Sequence, residues 1–135
     1  MTEADLFKKL KRATPGFHWQ RHEDKLVSGI PDCSFGAKQK GGWVELKAYK
    51  CWPQDEDNPL SFHNLKPEQR NWAMARGKAQ GSVWFLVAVG EDWFLIRWKY
   101  ARRLGQMTRS ELLRASDIHG SGSISKSISG VLLKD

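Results

Sequence analysis

The sequence lacks most features that mark secreted or membrane-embedded proteins. It has two cysteines in 135 residues, and the spacing of Cys33 and Cys51 fits neither a zinc pair nor a disulfide framework. The longest apolar run covers residues 83–89, far fewer than the roughly 20 residues of a membrane-spanning helix. The charged, amphipathic N-terminus has no apolar segment of a secretion signal. We therefore expect a cytoplasmic protein that does not enter a membrane.

Acidic residues are also scarce relative to basic ones. The chain has 22 Lys and Arg against 15 Asp and Glu, which gives a net charge of +7. This excess favours a polyanionic partner over an acidic protein or a neutral metabolite. Charge alone does not distinguish a nucleic acid from an anionic membrane surface. A chain of this length fits one domain with a single core.

The spacing of apolar residues predicts a mixed α/β protein. Thr2 is a candidate N-cap for the first helix, with Asp5 three residues later, and Gly41-Gly42 is a candidate turn. Trp72, Met74, Ala75 and Ala79 form the candidate apolar stripe of the second helix. The predicted elements are a helix over residues 2–13, strands over 17–23, 33–37 and 43–49, a helix over 67–80, strands over 82–89 and 93–98, and a helix over 110–115.

Two segments have no such periodicity. Residues 50–64 contain two prolines and a run of acids, which predicts a long exposed loop of the kind that often lies over a site. Residues 120–130 are dominated by Gly and Ser, with isolated Ile124 and Ile128, and this composition predicts flexibility. We divide the chain into a domain over residues 1–119 and a tail over 120–135. The apolar residues 131–133 are a candidate contact with a second subunit.

Three charged residues form the main candidate site. Asp32 follows Pro31, and Glu45 and Lys47 would share one face of the predicted strand over residues 43–49, because strand side chains alternate. Two converging carboxylates beside an ammonium suit metal-assisted phosphodiester hydrolysis. Asp32 and Glu45 would bind Mg²⁺, and the backbone carbonyl of Leu46 could add a third oxygen. Lys47 would orient or deprotonate the attacking water.

The same residues resemble a known motif. Gly29-Ile30-Pro31-Asp32 followed by Trp43-Val44-Glu45-Leu46-Lys47 resembles the motif of the PD-(D/E)XK nuclease superfamily, and is most similar to its VRR-NUC and Holliday-junction-resolvase-like branch. That branch comprises small nucleases common in phages and in replication and repair. The resemblance implies a restriction-endonuclease-like fold with an αβββαβ core. Here a C-terminal strand, a short helix and the flexible tail would be added.

The resemblance also implies further site residues. In that branch the N-terminal helix carries a glutamate and a glutamine opens the helix after Glu-x-Lys. The resemblance therefore implies Glu3 and Gln69 as further catalytic residues, with Glu3 also a candidate metal ligand. Asp5 lies on the same turn as Glu3, and either acid would favour a helix N-terminus, so the role of Glu3 stays open. Gln69 would contact a metal-bound water or a phosphate, and its alternative role is that of an exposed helix former.

The implied activity is a Mg²⁺-dependent DNA endonuclease, with Mn²⁺ as an alternative metal. The expected substrate is double-stranded or branched DNA, including junctions, and a two-fold homodimer would place two sites on opposite strands. A phage-encoded chain would act in the host cytosol. The alternatives are a non-specific or restriction-type nicking nuclease, and a non-catalytic nucleic-acid-binding module on the same scaffold.

Basic and aromatic residues supply candidate DNA contacts. Trp43, Trp72, Trp84 and Trp93 are core or sheet-face candidates first, because they belong to predicted strands or to the helix. His63 is either a phosphate contact or an ordinary loop histidine. The residues we predict to contact nucleic acid are Lys9, Arg12, Lys38, Lys40, Lys50 and Trp52.

Overall fold

A six-stranded mixed sheet with helices on both faces organises the protein, in a computed structural model that describes residues 1–23 and 28–134. The strands lie across the sheet in chain order. None of the described helices is long and apolar enough to cross a membrane. The elements are α1 Glu3–Ala13, β1 His18–Arg21, β2 Cys33–Ala37, β3 Lys40–Tyr49, α2 Pro67–Gln80, β4 Val83–Val89, β5 Asp92–Arg97, a 3-10 turn Trp98–Tyr100, α3 Arg109–Ala115, β6 Ile118–Ser121 and α4 Ile128–Leu132.

The parallel pair β3 and β4 lies at the centre of the sheet. All other neighbouring strands are antiparallel. Parallel neighbours require a crossover connection, and the loop after β3 together with α2 provides it. The crossover covers one face of the sheet with α2, whereas α1 packs against the other face. The predicted mixed sheet and restriction-endonuclease-like order are confirmed.

Two hydrophobic cores follow from this layering. On the α1 side, Leu6 and Leu10 pack with Val44 and Leu46 of β3. On the α2 side, buried residues of β4 and β5 pack with the loop after β3 and with α3. β4 is buried along its whole length because it contributes alternate residues to both cores.

The start of α1 matches the predicted cap. The Thr2 hydroxyl accepts a hydrogen bond from the Asp5 N–H at 3.1 Å, and the Asp5 carboxylate accepts one from the Thr2 N–H at 2.9 Å. The hydrogen bonds that the Thr2 N–H and the Thr2 hydroxyl donate to the carboxylate lower the pKa of the Asp5 carboxyl. The apolar residues Leu6, Phe7 and Leu10, which recur at helical spacing in α1, are buried.

The turn between β2 and β3 differs from the predicted one. The chain reverses at Lys38 and Gln39, which have positive φ of 49° and 64°, as a two-residue type I′ hairpin turn requires. Gly41 and Gly42 lie inside β3. A Cβ on Gly42 would overlap the Phe35 ring and the Ser82 hydroxyl, so this glycine serves close packing rather than chain reversal.

The segment after residue 119 differs from the predicted flexible tail. β6 pairs with β5, and α4 follows after a short connection. Ile124, Ile128 and Leu132 are buried in the core on the α1 side. The isoleucines that looked isolated in sequence therefore share one buried face, and composition missed them because Gly and Ser separate them. Of the candidate subunit-contact residues 131–133, Leu132 is buried within its own chain and its two neighbours are half-buried against the same core.

Gly29 brings the loop before β2 into contact with the start of α2. Its φ is +92°, and a Cβ there would collide with the Glu68 carbonyl. Only glycine combines this conformation with such a close approach of two backbones. The contact places the Asp32 loop against the first turn of α2.

We expect Ile128→Ala to lower the free energy of unfolding by about 2–4 kcal/mol, because it empties a fully buried site. Lys126→Ala, an exposed neighbour, should change that free energy by less than about 0.5 kcal/mol. Urea denaturation followed by circular dichroism measures both. Equal stability of the two variants would contradict the packing of α4 on the sheet.

We expect Gly29→Ala to destabilise the protein more than Gly16→Ala does. Both glycines have positive φ, but a Cβ on Gly16 meets nothing within 4 Å. Gly16→Ala should therefore cost roughly 1 kcal/mol from backbone strain, while Gly29→Ala adds the collision with Glu68. Paired urea titrations give the difference, and equal losses would show that the close approach is not rigid.

Candidate active site

Glu45 and Lys47 lie on the face of β3 that α2 covers, as strand alternation predicts. Val44 and Leu46 point to the opposite face, where they are fully buried beside α1. The Glu45 side chain receives a hydrogen bond from α2. Residues 44–47 of β3 therefore alternate between an apolar face of the strand and a charged face.

Asp32 lies immediately before β2 and is held against β3. Its carboxylate accepts a hydrogen bond from the Leu46 N–H at 2.9 Å, and its own N–H donates to the Glu45 carboxylate at 3.0 Å. Its carbonyl accepts from the His22 N–H at 2.8 Å, just beyond β1. The pairing of Cys33 with Val44 sets this alignment. Two acids that are 13 residues apart in sequence are thereby fixed side by side.

Glu45 and Lys47 are almost completely buried, at 3% and 4% exposure. The Lys47 ammonium lies 3.4 Å from the Glu45 carboxylate and donates a hydrogen bond to the Asn64 carbonyl at 3.1 Å. Burial of a charge is costly unless the charge is paired and hydrogen-bonded. These contacts meet that condition and leave the ammonium in a defined position.

Gln69, in the first turn of α2, reaches the Glu45 carboxylate. Its amide nitrogen donates to the second oxygen of the Glu45 carboxylate at 2.5 Å. Its amide oxygen accepts from the Lys66 N–H at 2.8 Å, which fixes the orientation of the amide. The structure thus brings Asp32, Glu45, Lys47 and Gln69 together in one cluster.

Tyr49 and Asn64 belong to the same cluster and were not predicted from the sequence. The Tyr49 hydroxyl donates to the Asn64 side-chain oxygen at 2.6 Å, and the Asn64 carbonyl accepts from Lys47. Burial, reinforced by the negative charges of Glu3 and Glu45, raises the pKa of Tyr49. The phenol therefore stays protonated and can donate. Its position two residues after Lys47 on the same strand face was the available sequence signal.

Glu3 lies in the first turn of α1, close enough for its charge to act on Tyr49. The alternative acid, Asp5, is used in the helix cap. Within residues 1–23 and 28–134, no group of three or more His, Cys, Asp and Glu could hold a metal. Glu3 is therefore not clustered with Asp32 and Glu45 as a third ligand, and its part in metal binding stays a prediction.

The donor atoms of the cluster are of the type that divalent metal ions prefer. Asp32 and Glu45 offer hard carboxylate oxygens, whereas Lys47 supplies one buried positive charge beside them. A divalent cation would balance the remaining negative charge. Mg²⁺ commonly uses one or two carboxylates and completes its shell with water and substrate phosphate. Leu46 contacts Asp32 through its N–H, and the use of its carbonyl as a ligand stays a prediction.

The predicted DNA-contacting cations on α1 lie apart from the carboxylate cluster. Lys9 and Arg12 line an open cavity of about 370 Å³ together with Lys126 from the connection before α4. The contribution of Lys126 was missed because residues 120–130 were predicted to be flexible. This arrangement places three cations around one depression.

The other predicted cations lie along the edge of the β2–β3 hairpin or follow β3. Lys38 lies in the hairpin turn. Lys40 donates a hydrogen bond to the Leu133 carbonyl at 2.9 Å and so holds the C-terminal segment. Lys50 is exposed directly after β3. Their contact with nucleic acid stays a prediction.

Trp52 is half-buried rather than freely exposed. Its indole N–H donates to Asp92 at 2.8 Å, and its ring stacks on Phe94 with 6.1 Å between ring centroids. The Arg109 guanidinium lies 5.0 Å from the ring centroid and pairs with Asp92 at 3.1 Å. The Trp52 side chain is therefore held in one position within the long loop.

Comparison with known proteins supports the fold. No protein-family model and no curated protein sequence matches the chain. Among solved structures, the chain is similar to Hjc from Archaeoglobus fulgidus, a Holliday junction resolvase from an archaeal hyperthermophile, with a TM-score of 0.59 and 18% identity over 96% of each chain. The similarity covers nearly the whole of both proteins. The chain thus has the resolvase-type, restriction-endonuclease-like fold that its motif implied.

Proposed function

We propose that the chain is a metal-dependent endonuclease that hydrolyses phosphodiester bonds in DNA. The observation that carries the proposal is the cluster of two carboxylates and one ammonium, cross-linked by hydrogen bonds, in which Glu45 and Lys47 are buried and Asp32 is half-buried. A buried, polar, tightly oriented cluster is costly to maintain for stability alone. Its composition matches what phosphodiester hydrolysis requires.

Each residue then has a defined role. Asp32 and Glu45 would hold Mg²⁺ or Mn²⁺, and such an ion would supply Lewis-acid polarisation of the phosphate and a lowered pKa of bound water. Lys47 orients the attacking water and offsets negative charge that develops on the phosphoryl oxygens. Gln69 holds the Glu45 carboxylate in place and contacts the water or the phosphate.

Branched or junction DNA is the proposed substrate. Support comes from the similarity in fold to a protein described as a Holliday junction resolvase, together with the VRR-NUC-like and resolvase-like motif of phage and repair nucleases. The net charge of +7 suits a substrate with several phosphate backbones. A two-fold homodimer would present two sites to two strands, and light scattering with and without DNA would reveal such a dimer.

We expect Asp32→Asn and Lys47→Ala each to reduce DNA cleavage by at least about 100-fold, because each removes a group that acts on the developing charge or on the attacking water. Asn can still accept the Leu46 hydrogen bond, so binding of DNA should persist. The measurement is cleavage of labelled linear, single-stranded and four-way-junction DNA with Mg²⁺, Mn²⁺ or a chelator.

Matched controls are Asp55→Asn and Lys78→Ala, which make the same changes at exposed positions and should leave cleavage unchanged. Binding without cleavage in every metal would establish the non-catalytic module instead. Equal cleavage of all three substrates would remove the junction preference and leave a non-specific nuclease.

A further inference from the structure

A concave surface adjoins the candidate active site at the end of β3. It has a volume of about 390 Å³ and lies between the strand end and the loop over residues 51–63. This volume is in the range of small-molecule pockets in proteins. Its main walls are Tyr49, Trp52, Pro53 and Leu60, with Ser61 and His63 at its exposed edge.

The lining of this cavity is neutral. Among the described residues, no Lys, Arg, Asp or Glu lines it, although the chain as a whole carries a net charge of +7. Arg109, which lies against the Trp52 ring, is outside the lining and is paired with Asp92. A phosphate would therefore find no countercharge among the residues that line the cavity. An uncharged, flat, partly polar group is the better match to aromatic and proline walls edged by a hydroxyl and an imidazole.

Two walls of the cavity are held rigidly before any ligand binds. Tyr49 is fixed by its hydrogen bond to Asn64 and by an edge contact with Phe62, whose ring centroid lies 5.4 Å away. Trp52 is fixed by Asp92 and Phe94. Pre-organised walls reduce the entropy lost when a ligand is bound.

The cavity and the cluster around Lys47 share Tyr49. Tyr49 lies two residues beyond Lys47 on the same strand face, roughly 7 Å at about 3.3 Å per residue. His63 precedes Asn64, whose carbonyl accepts the Lys47 hydrogen bond. A nucleotide whose phosphate lies at the carboxylates would therefore place a neighbouring base near this cavity.

We propose that the cavity binds one unpaired nucleobase of the DNA strand whose phosphate lies at Asp32 and Glu45. This inference rests on the proposed function for the position of the phosphate, and it adds a base-binding site beside it. In a continuous duplex, filling the cavity costs the unstacking and unpairing of a base. At a branch point or in a single strand that cost is small. The cavity thus supplies a physical reason for a preference for non-duplex DNA.

The test uses DNA in which 2-aminopurine replaces one base at a time around a branch point. Asp32→Asn protein binds this DNA without cutting it, so the measurement does not depend on activity. Stacking in the cavity should quench the fluorescence of 2-aminopurine at one position. An abasic nucleotide at that position should weaken binding roughly 5- to 100-fold, the range expected for one stacked base.

Two further variants examine the cavity itself in the Asp32→Asn background. Ser61→Leu fills the cavity from its exposed edge, and His63→Ala removes its imidazole. Both should abolish the quenching and the effect of the abasic nucleotide. Ser110→Leu and His119→Ala, which change exposed residues elsewhere, should alter neither.

Absence of quenching at every position, or equal quenching in Ser61→Leu and the parent protein, would overturn the proposal. Absence of DNA binding would do the same. Quenching that requires Ser61 and His63 in a protein that never cuts DNA would support the cavity and refute the nuclease. Cleavage by the protein with native Asp32, without such quenching, would support the nuclease and refute the cavity.

Discussion

The site depends on the reciprocal hydrogen bonds between Asp32 and β3. The Leu46 N–H donates to the Asp32 carboxylate, and the Asp32 N–H donates to the Glu45 carboxylate. Hydrogen bonds to charged groups contribute about 1.5–3 kcal/mol each, which offsets part of the desolvation of the buried Glu45 and the half-buried Asp32. The register of β2 on β3 sets this exchange. A slip of one residue would turn Glu45 and Lys47 into the apolar core beneath α1.

Helix α2 completes the cluster because two backbones approach closely at its first turn. Gly29 allows the Asp32 loop to abut the Glu68 carbonyl, and the next residue, Gln69, reaches Glu45. The glycine and the glutamine of the motif are 40 positions apart in sequence. Together they place the first turn of α2 beside the Asp32 loop and Glu45. A side chain at Gly29 would separate the loop from the helix that positions Gln69.

The sequence pattern of neighbouring residues predicted those features that depend on nearby residues alone. Strand alternation placed Glu45 and Lys47 on one face, and the capping box placed the start of α1. The buried face of α2 was predicted only in part. Of the expected apolar stripe, Trp72 and Met74 pack half-buried against the core, whereas the two alanines are exposed. Ala73 and Gly77 are buried there, and Gly77 lies against the Trp98 ring. A search for apolar residues at helical spacing cannot detect a close contact that requires a residue without a side chain. The same search missed the buried isoleucines near α4, because Gly and Ser residues separate them.

The contacts of Lys47 lie beyond sequence prediction for a different reason. Its hydrogen-bond acceptor is the carbonyl of Asn64, and any residue type could supply a carbonyl. The side-chain oxygen of Asn64 accepts a second hydrogen bond, from the hydroxyl of Tyr49, which holds the residue in place. The charged cluster and the loop over residues 50–64 are thus one unit. Carboxylates and a lysine can serve many phosphodiester substrates, whereas the loop that fixes the lysine also forms the neutral cavity beside it. In the proposed function, the contacts of the catalytic lysine and the walls of the base-binding cavity therefore meet at Asn64, where a change in the loop would alter both.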